Sequence, residues 1–250
     1  MDDAQLLRYS RHLLLPQWDA EIQQRLTDAR VLLVGAGGLG CAVAPYLVAA
    51  GVGTVHIVDD DEVDLSNLQR QILYGTTSLG QPKVAAARQR LHDLNPGVQV
   101  IPHRVRLDAG WLTGRHFDLV LDGSDNFATR YTVNAFCVRQ GIGLISGAAL
   151  GWQGQLAVFD ASKSGEACYA CLYHFGQGDE EDSCTRSGVI GPLVGVVGSM
   201  MALEAIKWLG QLERSVVGAL IVYDALHSVF RQIRLRQDPE CPVCAGRNLA

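Results

Sequence analysis

A chain of 250 residues, 48% hydrophobic and 19% charged, buries a substantial core and fits one large α/β domain better than two small ones. Its formal net charge of -5, with no basic stripe, argues against a nucleic-acid partner. The start, Met1-Asp2-Asp3, carries acids where a secretory signal needs a basic and then an apolar stretch, so a cytoplasmic protein with no membrane span is expected.

Residues 2–28 read as an amphipathic helical region, with Leu6, Leu7, Leu13, Leu14 and Ile22 as its apolar positions. The next run, VLLVGAGGLG over 31–40, is a β-branched strand that meets glycines and passes straight into a helix. Such a junction receives phosphates. Gly35 permits the tight turn, Gly37 and Gly38 let backbone approach an anion, and Gly40 lets helix and strand pack, so the helix N-terminal N–H groups face the ligand. A second strand over 54–59 ends on Asp59, where a ribose hydroxyl needs an acceptor. Glycines that only satisfy backbone geometry are the plainer reading. The strand before, the helix after and the acid downstream favour a nucleotide, without deciding among NAD, FAD and ATP.

Strand and helix then alternate: a helix over 82–94 ended by Asn95-Pro96, strands at 98–102 and 117–122, a helix at 129–140 and a strand at 144–147. Alternation of this kind predicts a mostly parallel sheet covered on both faces, with ligands at the carboxyl ends of its strands. After Gly151 the strands at 154–159, 219–223 and 230–235 are joined by turns and predict an antiparallel extension. The polar stretch 162–187, with acids at 179–182, reads as a loop. The apolar run 188–203, closed by Glu204 and Lys207, falls short of a bilayer span and reads as a buried helix entered near Pro192.

Seven cysteines without a secretory signal argue against a disulfide framework. Cys168-Tyr-Ala-Cys171 and Cys241-Pro-Val-Cys244 supply four thiolates, the closed coordination sphere of a structural zinc that would pin the C-terminal segment to the middle of the chain. Either pair alone is equally a redox dithiol. Cys41 and Cys137 read as small buried hydrophobes. Cys184 sits in a polar context beside Arg186 and is the candidate reactive thiol.

Arg70 and Lys83 follow the second strand closely enough to turn back over the phosphate loop. Two cations there suit a triphosphate cleaved between its α and β groups; the competing reading pairs them with neighbouring acids. Asp125 at the end of the 117–122 strand is placed either to bind a metal or to cap the helix that follows.

Taken together and in order, GAGGLG (35–40), Asp59, SNLQRQ (66–71), GQPK (80–83), GSDN (123–126) and the two cysteine pairs resemble the MoeB/ThiF family, bacterial relatives of ubiquitin-activating enzymes. The similarity runs from the Arg8-Tyr-Ser-Arg11 segment to Cys244. It implies a single Rossmann-like, three-layer adenylyltransferase domain over 1–250: N-terminal helices at 1–28, a nucleotide-binding half at 29–150 and a carrier- and zinc-binding half at 151–250. The implied activity is ATP-dependent adenylation of the C-terminal glycine of a small ubiquitin-like sulfur carrier ending in Gly-Gly, with release of pyrophosphate.

By the same resemblance Gly37 and Gly38 approach ATP and Asp59 holds the ribose. Asn67, Arg70 and Lys83 contact the phosphates, Asp125 binds Mg²⁺, and Asn126 belongs with it to the cofactor-binding set. Arg11 reaches into the neighbouring subunit's site, making the working unit a homodimer. Segments 146–149 and 223–225 look closer to MoeB, which implies the molybdopterin-synthase small subunit as carrier and molybdenum cofactor biosynthesis as pathway, with the thiamine carrier as the alternative. Cys184 matches a cysteine proposed to bond covalently to the carrier in ThiF-like members and does not discriminate between the two. The sulfur donor is expected to be a separate protein. An NAD-dependent oxidoreductase is a more remote reading, since no Tyr-x-x-x-Lys pair supplies its acid; a nucleotide-sensing adaptor without catalysis is the non-enzyme alternative.

Overall fold

The computed structural model describes residues 1–174, 188–213 and 216–245. Among them runs one eight-stranded sheet in the order β3-β2-β1-β4-β5-β6-β7-β8. Its strands are β1 (Arg30–Val34), β2 (Thr54–Val58), β3 (Gln99–His103), β4 (Leu119–Asp122), β5 (Gly143–Leu150), β6 (Gln153–Asp160), β7 (Ala219–Asp224) and β8 (Val229–Arg234). The first five in spatial order pair in parallel, and β6, β7 and β8 add on antiparallel. The expected parallel core with an antiparallel extension is therefore present.

Side chains alternate faces along a strand, so β1 divides its apolar residues between two cores. Val31 and Leu33 join Leu119, Leu121 and Ile145 on one face, under α4 (Gly38–Ala49), α5 (Lys83–Leu94) and α9 (Gly191–Leu209). Leu32 and Val34 join Val120 and Leu144 on the other, against Val133, Phe136 and Cys137 of α7 (Phe127–Gln140). Helices on both faces are what a buried parallel sheet requires. Cys41 and Cys137 are each 1% exposed, as small core hydrophobes, and burial lifts the Cys41 thiol to about 12.

The N-terminal region differs from a single amphipathic stretch. It forms α1 (Asp3–Arg8), α2 (Ser10–Leu13) and α3 (Ala20–Asp28). Pro16 withholds a backbone donor and disfavours helical geometry at Leu15, which separates α2 from α3. Caps then restart the chain: Asp2 accepts from Gln5 N–H and Asp19 from Ile22 N–H, each at 2.8 Å.

Within the polar stretch after Ser162, α8 (Tyr169–Leu172) carries part of the first cysteine pair; a short α6 (Ala109–Leu112) precedes β4. The apolar run near 188–203 becomes α9, which starts at Gly191 with Pro192 in its first turn and continues to Leu209. Glu204 and Lys207 do not close it. They pair within it at 2.9 Å, and half-neutralised in this way they remain in a helical surface only 11% and 22% exposed. At 19 residues the helix is long and apolar enough to cross a membrane, contrary to the expected shorter span. Its Leu193, Val194, Val197 and Met201 are instead packed in the core formed with α4 and the sheet.

On the opposite face of β2 the buried His56 meets the half-buried His103 of the edge strand β3. His56 Nδ1 lies 2.9 Å from His103 Nε2, and among the described residues His56 Nε2 has no hydrogen-bond partner. Burial first, then the charges of His103, Arg30 and Arg115, lower His56 from its ordinary 6.5 to about 4. The fold therefore holds neutral imidazole, and on acidification the unfolded chain binds the proton first. We expect the urea midpoint of the wild-type chain to fall between pH 6.5 and 4 more steeply than that of His56→Gln. Parallel pH profiles for the two proteins would contradict this account.

Candidate nucleotide site and cysteine cluster

The strand order reverses direction between β1 and β4, so their carboxyl ends open a crevice where α/β proteins bind ligands. Gly35 occupies that position with φ of +91°, and its N–H donates to Val58 O at 2.9 Å. A Cβ on Gly35 would stand 3.0 Å from Gly123 O, and one on Gly40 would stand 2.0 Å from Gly35 O. The loop after β1, the first turn of α4 and the loop after β4 are thus in mutual backbone contact. A Cβ on Gly38 would stand 3.1 Å from Val194 of α9, so its missing side chain also lets α4 and α9 pack closely. A Cβ on Gly37 would meet, among the described residues, only Gln71 Nε2 at 3.8 Å.

Asp59 holds the loop in shape. Its Oδ2 accepts from Ala36 N–H at 2.7 Å and its Oδ1 from Asp61 N–H at 2.9 Å. Carboxylate oxygens carry about four acceptor sites between them, so both bonds leave capacity for a hydroxyl. Burial raises the Asp59 pKa and the nearby Lys83 charge opposes the rise. Tyr74 Oη, donating to Ala36 O at 2.7 Å, secures the loop from its other side.

Residues beyond Asp59 form a strap that folds back. Val63 N–H donates to Gln81 O and Gly80 N–H to Val63 O, each at 2.9 Å, which returns the start of α5 to the end of β2. Lys83 is thereby buried at 5% exposure, with Nζ 2.7 Å from Asp61 Oδ2. The pairing with a neighbouring acid occurs for Lys83, but from a buried position beside Asp59. Arg70 behaves otherwise: Nη1 donates to Ser66 O at 3.2 Å, and among the described residues it makes no ion pair. Asn67 sits in the same strap, in a single 3₁₀ turn capped by Asp64.

The loop after β4 separates two roles. Asn126 Oδ1 accepts from Thr129 N–H at 2.9 Å and caps α7. Asp125 is exposed and, among the described residues, accepts a hydrogen bond only from Asn126 Nδ2 at 3.5 Å, which leaves carboxylate capacity for a cation. Beneath it Asp122, 0% exposed, accepts from Ser124 N–H and Oγ at 2.9 and 2.6 Å. Arg130 donates to Ser124 O and Gly147 O and ties the loop to β5. Burial raises the Asp122 pKa, opposed by Arg130. Asp122 and Arg130 were not among the sequence candidates, because nothing in a sequence marks which charges of a loop face inward.

Arg11 lies exposed on α2. Cys184 falls outside the described residues.

The four paired cysteines converge. Sγ distances are 3.7 Å for Cys168 to Cys241, 3.4 Å for Cys171 to Cys244 and 3.9 Å for Cys168 to Cys171. A tetrahedron with metal–sulfur bonds of about 2.3 Å has edges of about 3.8 Å, so the donor set fits zinc. Asp238 N–H points at Cys171 Sγ at 3.4 Å and Asn134 Nδ2 at Cys168 Sγ at 3.5 Å, the donors a thiolate cluster needs. Interaction with the Cys168 thiol first, then backbone N–H donors of Asp238 and Cys168, lower the Cys171 thiol to about 5.

Residues 9–243 match the model of the ThiF family. The chain is 43% identical to the molybdopterin-synthase adenylyltransferase of Escherichia coli K12, over 98% of each chain. It is 44% identical to the sulfur carrier protein ThiS adenylyltransferase of the same strain, over 99% of this chain and 98% of the other. The crystal structure of E. coli MccB with ATP superposes with a TM-score of 0.84 over 95% of this chain and 73% of that one, at 23% identity, and so attests the fold. From Tyr9 to Val243, and across nearly the full length of relatives above 40% identity, this chain belongs to the ThiF family.

Proposed function

We propose that this chain, an ATP-dependent adenylyltransferase acting on the C-terminal carboxylate of a small ubiquitin-like carrier, takes the molybdopterin-synthase small subunit as its substrate. The observation that carries the nucleotide reading is the crevice between β1 and β4. There Asp59 braces the glycine loop, Lys83 is buried behind it and the Asp125 loop faces it across a backbone contact. The two E. coli relatives stand at nearly equal identity, so the choice of carrier rests on segments 146–149 and 223–225, which resemble MoeB and lie on β5 and at the end of β7.

The chemistry needs charge control more than proton transfer. A terminal carboxylate, ordinarily near 3.5, is already an anion at neutral pH. Its oxygen forms a bond to the α-phosphorus while the bond to the β-bridging oxygen breaks, and pyrophosphate leaves with that electron pair. Repulsion between anion and polyanion opposes the approach. Lys83, Arg70 and an Arg11 contributed by a second copy offset it, and the free N–H groups at the start of α4 receive phosphate oxygens. Asp125 would hold Mg²⁺, which supplies charge neutralisation on the leaving group. Asp59 would accept from the ribose. The cysteine cluster would hold a structural zinc with no open position, and a separate protein would deliver sulfur to the acyl adenylate.

ATP–pyrophosphate exchange tests the reading. Exchange should appear with a molybdopterin-synthase small subunit and stay near background with a thiamine carrier; the reverse preference would reassign the pathway. Arg70→Ala and Lys83→Ala should each lower exchange by about 10²-fold or more while circular dichroism remains that of the wild type. For the cluster, Cys171→Ser should release bound zinc, measured by metal analysis, and lower Tm. Full retention of metal in that variant would remove the zinc assignment.

A further inference from the structure

The peptide between Ala36 and Gly37 is held through its carbonyl alone. Ala36 is 2% exposed, and its oxygen accepts from Tyr74 Oη at 2.7 Å and from the Cys41 thiol at 3.4 Å. Tyr74 is itself buried, and burial raises its pKa, so the hydroxyl remains a donor. The peptide is trans, and in a trans peptide the C=O and the N–H point in opposite directions. A donor that holds Ala36 O therefore turns Gly37 N–H away from Tyr74. Among the described residues nothing accepts from that N–H.

Glycine makes such a hold necessary. Gly37 precedes α4 with φ of -79°, and rotating the peptide before it by about half a turn carries φ into the positive region, which glycine enters without steric cost. One orientation presents an N–H at the start of α4 and the other presents a carbonyl oxygen; only the first receives an anion. The partners of Ala36 O decide between them. Of the two, the phenol dominates, because a thiol is a weak donor.

Resting on the adenylation reading above, we propose that Tyr74 is a positioning residue for the triphosphate: its hydroxyl, without touching ATP, fixes the Ala36–Gly37 peptide so that Gly37 N–H donates to a phosphate oxygen. Without the hydroxyl a buried carbonyl keeps one weak donor, and rotation toward water recovers the lost bond. The binding-competent fraction of the loop then falls, and apparent affinity for the phosphates falls with it. Ribose binding is separate, since Asp59 is bonded to Ala36 N–H, which belongs to the preceding peptide.

Pyrophosphate exchange by wild type and Tyr74→Phe, with adenosine as competitive inhibitor against Mg·ATP, tests it. Phenylalanine keeps the ring and removes the donor: KM for Mg·ATP should rise about tenfold, kcat should stay within about threefold, and Ki for adenosine, which carries no phosphate, should stay within about twofold. An unchanged KM overturns the role. So does a Ki for adenosine that rises in parallel with KM, the signature of a side chain that merely holds the pocket together. Exchange that adenosine fails to inhibit takes the ribose off Asp59 and overturns the role as well. Absence of exchange in the wild-type chain itself would overturn the adenylation reading and this role with it.

Discussion

One hydrogen bond organises the crevice. Asp59 at the end of β2 accepts from Ala36 N–H in the loop after β1, and so converts two adjacent parallel strands into a fixed cradle. The carboxylate is buried at a cost that raises its pKa, and it is retained because Lys83 and two backbone donors compensate it. The remainder of the site is referred to that cradle. The strap returns Lys83 to it, Tyr74 locks its outer carbonyl, and the loop after β4 abuts Gly35.

Electrostatics and packing are separated in space around it. Buried cations and acids lie on the rim at the strand ends, whereas the body of the sheet carries aliphatic side chains on both faces. Arg130 links the two regions, since it is half-buried and bonds the carbonyl of Ser124 beside the exposed Asp125. An exposed carboxylate on a rigidly held loop suits a metal ligand, because little side-chain or backbone freedom remains to be lost on binding.

Much of this was legible in the sequence where the signal is local. A strand, its glycines and the helix that follows are contiguous, so 31–50 announced itself, and the cysteine spacing announced the cluster. What was not legible depends on contacts made at a distance. Asp125 and Asn126 are adjacent and both suit a cap, and only the entry angle of α7 assigns it to Asn126. Lys83 meets Asp61 because 61–63 and 80–83 pair across a strap whose closure no short pattern encodes. The end of α9 was read too early, since Glu204 and Lys207 look like a polar boundary until they are seen to neutralise one another. Gln71, at the end of SNLQRQ, is 3% exposed, and a polar residue in a loop sequence carries no mark of such burial.

The contact between Gly35 and Gly123 joins segments nearly ninety positions apart. Closing so long a loop is entropically slow, and pairings of that separation come late in folding. A nascent chain that has emerged only through β2 already displays the whole glycine fingerprint, yet it has no opposite wall. The crevice therefore has both of its walls only once β4 has emerged and paired beside β1.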